Sequence, residues 1–577
     1  MLAGTKGNPA HSFTKVNAQQ ERVTAMTARH GGQILVDQLK AQGVRRVFSV
    51  PGESFLAALD GLYDSGIENI VCRHEGGACM MAEAHAKLTG QPGVVFVTRG
   101  PGATNASSGI HVARQDSTPL ILFVGQIDNR HRDREAFQEV NYREFFKPLA
   151  KWAAEIDHTE RLPEYISRAF HQARSGRPGP VVLALPENML SACADVPDIA
   201  PVAPTPPSVC SEQIDAVLDM LCKAKSPLVI AGGSVWSTAT AKGLAEFAAR
   251  FDLPVCATFR RMDRIDTRHP NYAGDLAVGM NPKLAQRLRD ADCLLVLGAR
   301  LGDIATGSYE LVDPAAPGKT IIHIHPDPDE LGRVFRPDLG LVAPAVDVIA
   351  KLARREAPEH ADWTDWTKAA RADYLEWVSP RETPGAVKLE QVIHQLSEHL
   401  PDNAIVTNGA GNYAAFLHRY LRARAFPGHL APTSGSMGYG FPAAIAAKLE
   451  HPDRPVICFA GDGCFQMTLN EMSTAHQYGA NVITIVCNNG QYGTIRMHQE
   501  KTYPGRVSGT QMFNPDYAAF ARAYGGHGER VEYTEDFMPA FKRAVAASLP
   551  AVIELVLDPD ALSPALTIAK ARELAQP

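Results

Sequence analysis

The chain has 577 residues, too many for one hydrophobic core, and a prior of roughly 150 residues per domain predicts three or four units. Hydrophobic residues make up 45% and charged residues 21%, the balance of a soluble globular protein, and a net charge of -6 gives no electrostatic reason to expect nucleic acid or an acidic membrane as partner. The longest apolar runs, Pro119–Gly125 and Ala480–Cys487, are strand-sized and far short of a membrane span.

Residues 1–28 are polar and lack the apolar core of a signal peptide, so they read as a frayed N-terminal extension. From 29 to 195, short β-branched runs alternate with Ala/Leu-rich amphipathic stretches, with strands predicted at Val94–Thr98, Leu120–Val124 and Val181–Leu185. The proline cluster Pro197–Pro207 then reads as a stiff linker. A second unit, 209–355, carries predicted strands at Leu228–Ile230, Cys293–Leu297 and Ile321–Ile324. The charged stretch Glu356–Thr383 reads as another connection, and its Trp363 and Trp366 predict a helix packed between domains. The third unit, 384–570, has strands at Ile405–Val406, Val456–Phe459 and Val482–Val486. Continuous apolar strands separated by helices predict an α/β protein of three doubly wound parallel-sheet domains. The 10 cysteines show no CxxC pair and no metal-ligand spacing, and several lie inside apolar runs. They read as reduced core residues, which fits a cytoplasmic protein.

The sharpest chemistry lies in the last unit. The strand Val456–Phe459 runs into Gly461-Asp462-Gly463, followed by a helix expected to start near Thr468. A loop at the carboxyl end of a parallel strand is where such sheets bind ligands. Glycines allow close backbone approach to a phosphate, and Asp462 offers a hard oxygen ligand. One helix and one strand later, Asn488-Asn489-Gly490-Gln491 offers an amide oxygen and a backbone carbonyl to the same cation. Either half alone is a common strand-end turn, whereas the ordered pair is demanding.

With these motifs the chain resembles the thiamin-diphosphate-dependent enzymes, in particular their acetolactate-synthase-like branch, over roughly residues 28 to 570. The resemblance implies thiamin diphosphate and Mg2+ as cofactors, with Asp462, Asn489 and the backbone oxygen of Gln491 on the metal. It implies a diphosphate cradle at Gly409–Tyr413, including Ala410, Gly411, Asn412 and Tyr413. It also places Ser436, Met437, Gly461, Gly463, Cys464 and Tyr492 against the cofactor, with Met437 wedging it into a bent conformation. In the first unit, Val47–Glu53 resembles the family's strand followed by Pro-Gly-Glu. Glu53 is thereby implied to hydrogen-bond the cofactor's pyrimidine and promote loss of the thiazolium proton. Phe137 and Gln138, in Ala136–Glu139, are implied to stand near the reacting atoms as further catalytic residues.

The implied activity is C–C bond lyase or carboligase chemistry on a 2-oxo acid or aldehyde, through ylid and enamine intermediates. Alternatives are a 2-oxo acid decarboxylase, a 2-hydroxyacyl-CoA lyase, or an inactive cofactor-binding paralogue. The implied assembly is a homodimer or homotetramer with the site at the subunit interface. Some positions depart from the synthases. Glu187 stands where they have lysine, Ile304 where they have an arginine near a flavin, His498 where they have tryptophan, Tyr413 where they have histidine, and Gly76 where they have glutamine. These leave FAD in the central domain open. Thr494, Arg496 and His498 are expected to face the substrate, Arg496 as partner for a carboxylate.

Overall fold

The aliphatic runs become strands because each is buried on both faces, which a parallel sheet covered by helices requires. All the residues of Leu120–Gln126, Pro180–Pro186 and Cys293–Leu297 are buried. The computed structural model describes residues 28–202, 205–357 and 362–575. The expected extension up to residue 27 and Pro204 of the linker lie outside these residues.

The first sheet contains β1 (Arg46–Ser49), β2 (Glu68–Val71), β3 (Gly93–Val97), β4 (Leu120–Gln126), β5 (Trp152–Glu155) and β6 (Pro180–Pro186), in the order β2-β1-β3-β4-β6-β5. The second contains β7 (Pro227–Ala231), β8 (Val255–Thr258), β9 (Tyr272–Leu276), β10 (Cys293–Leu297), β11 (Thr320–His325) and β12 (Leu339–Val342), in the order β9-β8-β7-β10-β11-β12. The third contains β13 (Ile405–Asn408), β14 (His429–Leu430), β15 (Val456–Gly461), β16 (Ile483–Asn488), β17 (His527–Val531) and β18 (Ala551–Val556), in the order β14-β13-β15-β16-β18-β17. Every pairing within the three sheets is parallel. The first and third sheets thus share one topology. The central sheet has the order of a dinucleotide-binding fold.

The pleat sends alternate residues to opposite faces. Val94 and Phe96 therefore join the core on one side of the first sheet, and Val95 and Val97 the core on the other. That second core is shared with the third sheet. Helix Glu75–Thr89 lies against helix Gly440–Glu450, and buried Ala78, Ala82, Ala443, Ala444 and Ala447 belong to this shared core. Small side chains on both helices permit close approach.

Polar clasps fix the same interface. The buried Tyr439 hydroxyl donates to Glu83 at 2.6 Å. The carboxylate of Glu471, with no exposed surface, accepts the backbone N–H groups of Arg73 and His74 at 3.1 and 3.0 Å. Asp116 links all three units: Arg261 donates to it at 2.7 Å and the Thr433 N–H at 3.1 Å. Burial opposes its charge, but Lys87 and Arg261 outweigh that and hold its carboxyl below the usual range.

The two-tryptophan segment opens helix Thr364–Trp377. Trp363 and Trp366 donate to carbonyls of Ala224 and Pro227 on the central unit, while Arg419 of the third unit stacks 3.7 Å from the Trp377 ring. The helix therefore does sit between domains. No helix among the described residues is long and apolar enough to cross a membrane.

Candidate cofactor site

A cavity of about 250 Å3 opens at the carboxyl ends of β13, β15 and β16, lined entirely by residues between Leu389 and Ala561. Ala410, Gly411, Asn412, Tyr413, Met437, Gly461, Asp462, Gly463, Cys464, Asn489, Gln491 and Tyr492 all line it. Ser436 does not; its hydroxyl turns to the Met437 carbonyl at 3.0 Å.

Asp462 is 4% exposed and begins helix Asp462–Gln466 directly. The helical stretch expected near Thr468 is present, with Thr468 preceding the turn Leu469–Glu471 and helix Met472–Gln477, and the short helix Asp462–Gln466 comes before it as an additional element. Asp462 Oδ1 accepts the Gly463 N–H at 2.8 Å, and Oδ2 accepts the Gly490 N–H at 2.9 Å and Asn514 Nδ2 at 2.8 Å. Burial pushes this carboxyl up despite those donors. A divalent cation would reverse that by stabilising the charged form.

The second half of the frame is equally braced. Asn488 donates to buried Glu554 at 2.7 Å and accepts from Asn514 at 2.8 Å. Asn489 Oδ1 accepts the Gln491 N–H at 3.3 Å, and Gln491 Nε2 donates to the Pro559 carbonyl at 2.7 Å. Asn514 thus joins both halves through one amide. Nothing local in the sequence marks Asn514 for this role, since an Asn-Pro pair ordinarily signals only a turn.

The turn expected to cradle a diphosphate is built around a glycine. Gly411, at φ +150°, precedes helix Asn412–Tyr420, and no side chain caps that N-terminus. Its first amides are therefore available to an anion. A Cβ on Gly411 would meet the Tyr413 ring at 2.9 Å. Tyr413 itself folds under the loop, its hydroxyl accepting the Gly409 N–H at 3.0 Å. Asn412 Nδ2 is buried without a partner among the described residues, and Thr494 donates to Asn412 Oδ1 at 2.8 Å. The left-handed residues Gly435 and Gly438 flank Met437 and turn it toward the cavity.

Of the expected substrate-facing residues, Thr494 lines the cavity, whereas Arg496 and His498 are not among the residues lining it. Arg496 is paired with Glu500 at 2.7 Å, and Glu500 is held in turn by Arg572 at 2.7 Å. Its charge is spent inside the protein, which corrects the expectation that it meets a substrate carboxylate.

Glu53, Phe137 and Gln138 are not part of this cavity. They lie together on another face of the chain, where the Glu53 side chain is 68% exposed and Phe137 73%. Gln138 adopts φ +65°, a costly conformation for a non-glycine residue, and packs so closely that a Cβ on Gly100 would stand 2.7 Å from its own. Arg99, also missed in the sequence, contacts Glu53, Phe137 and Glu187.

A separate cavity of about 210 Å3 lies at the switch point of the central sheet, lined by Gly233, Gly298, Arg177, Arg300 and His325. Arg261 and its ion-pair partner Asp116 close one side of it and also line a neighbouring cavity.

Three linked parallel sheets with a carboxylate–amide frame beside a glycine cradle define a thiamin-diphosphate enzyme. Residues 29–145, 214–352 and 409–555 match the models for the N-terminal TPP binding domain, the central domain and the C-terminal TPP binding domain of thiamine pyrophosphate enzymes. The chain is 30% identical over 534 residues to the acetolactate synthase isozyme 2 large subunit of Escherichia coli, covering 92% of this chain and 96% of that one. It is 32% identical to the mitochondrial acetolactate synthase catalytic subunit of Saccharomyces cerevisiae, covering 95% and 84%. For the Corynebacterium glutamicum acetolactate synthase large subunit the identity is 31%, covering 94% and 89%. The chain belongs to the thiamin-diphosphate enzyme family, in its acetolactate-synthase-like branch.

Proposed function

We propose that the protein is a magnesium- and thiamin-diphosphate-dependent carboligase or lyase that acts on a 2-oxo acid, working as a homodimer or a pair of dimers. The observation that carries this reading is the division of the site. The cavity holding Asp462, Asn489 and Gln491 contains no residue of the first unit, and Glu53 waits on an exposed face. A second copy of the chain would bring the two halves together.

Asp462 Oδ, Asn489 Oδ1 and the Gln491 carbonyl would hold the cation, and the amides at Gly411–Asn412 the diphosphate. When bound, thiamin diphosphate supplies a stabilised carbanion equivalent that attacks a carbonyl carbon. The protein's part is to bind, bend and protonate. Met437 would press on the cofactor from the cavity lining, Glu53 would hold and exchange a proton at a ring nitrogen across the interface, and Gln138 would donate to the substrate oxygen. Met437, Cys464 and Ile495 add apolar surface to the cavity lining, which would favour carbonyl substrates over water beside the bound cofactor.

The test is a panel of 2-oxo acids offered with magnesium and thiamin diphosphate, reading carbon dioxide and coupled products separately. Coupled product is expected in stoichiometric amount, with Glu53→Gln at least 100-fold slower at saturating cofactor, in the range of general acid–base effects. Unimpaired turnover by that variant would sink the assignment of Glu53. Carbon dioxide with free aldehyde as sole product would turn the reading to a decarboxylase.

A further inference from the structure

We infer that Arg99 is a positioning residue that aims the Glu53 carboxylate across the subunit interface; this rests on the proposed role of Glu53. Arg99 follows the end of β3, in the turn before helix Pro101–Asp116, and its side chain is only 9% exposed. All its nitrogens point at the site. Nη2 donates to Glu53 Oε1 at 2.7 Å, Nη1 to Glu187 Oε2 at 3.5 Å, and Nε to the Phe137 carbonyl at 3.3 Å. One planar fork thereby joins three segments that are far apart in sequence.

The local backbone is built to allow this approach. A Cβ on Gly52 would stand 2.3 Å from the Thr98 Cβ, so only glycine lets the loop bearing Glu53 lie on the end of β3. Ser54 and Thr98 share a hydrogen bond at 2.9 Å directly beside the ion pair. Gly100 donates to the buried Tyr142 hydroxyl at 2.7 Å and allows close contact with Gln138.

The consequence is geometric. A glutamate on an exposed face has several rotamers, and most of them aim its oxygens away from a fixed target. The fork binds Oε1 and leaves Oε2 without a hydrogen-bond partner among the described residues. That oxygen is the one available to a nitrogen presented by the second copy. Glu187 holds the far side of the guanidinium, so the negative residue at this position has a partner of its own. A lysine in place of Arg99 has one nitrogen for three acceptors and cannot reproduce the planar arrangement.

The experiment measures exchange of the cofactor's thiazolium proton for deuterium in the holoenzyme without substrate, by quenched-flow NMR, beside cofactor affinity from tryptophan fluorescence. At saturating cofactor, Arg99→Gln is expected to exchange about tenfold more slowly, the worth of one charge-assisted hydrogen bond, with Arg99→Lys intermediate. A merely structural role would lower affinity or yield without changing exchange in the fully loaded enzyme. If both variants exchange at the parental rate while Glu53→Gln is slowed, the role of Arg99 is refuted and that of Glu53 stands. If Glu53→Gln exchanges at the parental rate, the reading of Glu53 fails, and this inference with it. Should Arg99→Gln not fold, Arg99→Lys alone decides: a parental rate overturns the proposal and a slowed one supports it.

Discussion

Replacing Glu471 with alanine should loosen the junction between the first and third units at one identifiable place. Its carboxylate has no exposed surface and accepts the Arg73 and His74 N–H groups at 3.1 and 3.0 Å and the Thr474 hydroxyl at 2.6 Å. A Cβ on Gly77 would stand 2.6 Å from Glu471 Oε1, so the helix start and the carboxylate are fitted to each other. Alanine removes every acceptor and leaves two backbone N–H groups without partners. At about 1–3 kcal/mol for each unsatisfied donor, plus about 1 kcal/mol for the void, the local loss is about 3–7 kcal/mol.

At ~1.4 kcal/mol per factor of ten, the amides of residues 73 and 74 should exchange with deuterium about 100-fold faster or more. Hydrogen-exchange mass spectrometry on a peptide spanning this turn reads the change directly. It avoids the whole-chain melting curve, which is not two-state in a protein of several domains. Burial pushes the Glu471 carboxyl up, so Glu471→Gln, which matches the protonated form and keeps one acceptor oxygen, should retain most of the protection. Parental exchange in the alanine variant, or equal loss in both variants, would refute the reasoning.

Asn514→Ala removes the amide that donates to both Asp462 and Asn488 at 2.8 Å, so magnesium-dependent cofactor binding should weaken about tenfold, read by fluorescence titration at varied magnesium. Arg496→Ala should raise KM less than threefold and instead lower the unfolding midpoint, because its partner is the buried Glu500; a large KM effect would restore it as a substrate ligand. Asp275 has its carboxyl pushed up to about 7 by burial. A raised folded-state pKa means that its contribution to stability is complete below the unfolded value near 3.8 and is lost as pH rises through about 7. The loss accumulates between these two values, so Asp275→Asn should raise the urea midpoint of the central unit most at pH 8 and clearly less at pH 5.

Much of this architecture was legible in the residues because its signals are local. Strands such as Cys293–Leu297 declare themselves by being apolar throughout, and the Gly461–Gly463 and Asn488–Asn489 pair stands out because a helical connection and one strand separate adjacent parallel strand ends. Errors arose where a side chain's partner is chosen at a distance. Arg496 looked free for a ligand until the fold placed Glu500 one turn away and Arg572 beside it. The helical stretch after Thr468 is legible, whereas the short helix Asp462–Gln466 before it is not, because two glycines signal a loop while hydrogen bonds to Asp462 from Gly490 and Asn514 stabilise a turn.

By itself the sequence determined three parallel-sheet units, the spacing of Gly461-Asp462-Gly463 and Asn488-Asn489, and the presence of Glu53 in a Pro-Gly-Glu turn. Spacing along a strand and the chemistry of a motif are properties of contiguous residues, so they need no knowledge of the fold. Only the tertiary structure decided that Asn514 bridges the frame and that Arg99 clasps Glu53. The separation of Glu53 from the cavity of its own chain, implied by the resemblance, took its geometry from the fold. Those relations depend on segments that meet through packing, and hydrogen-bond geometry selects among partners that no local pattern distinguishes.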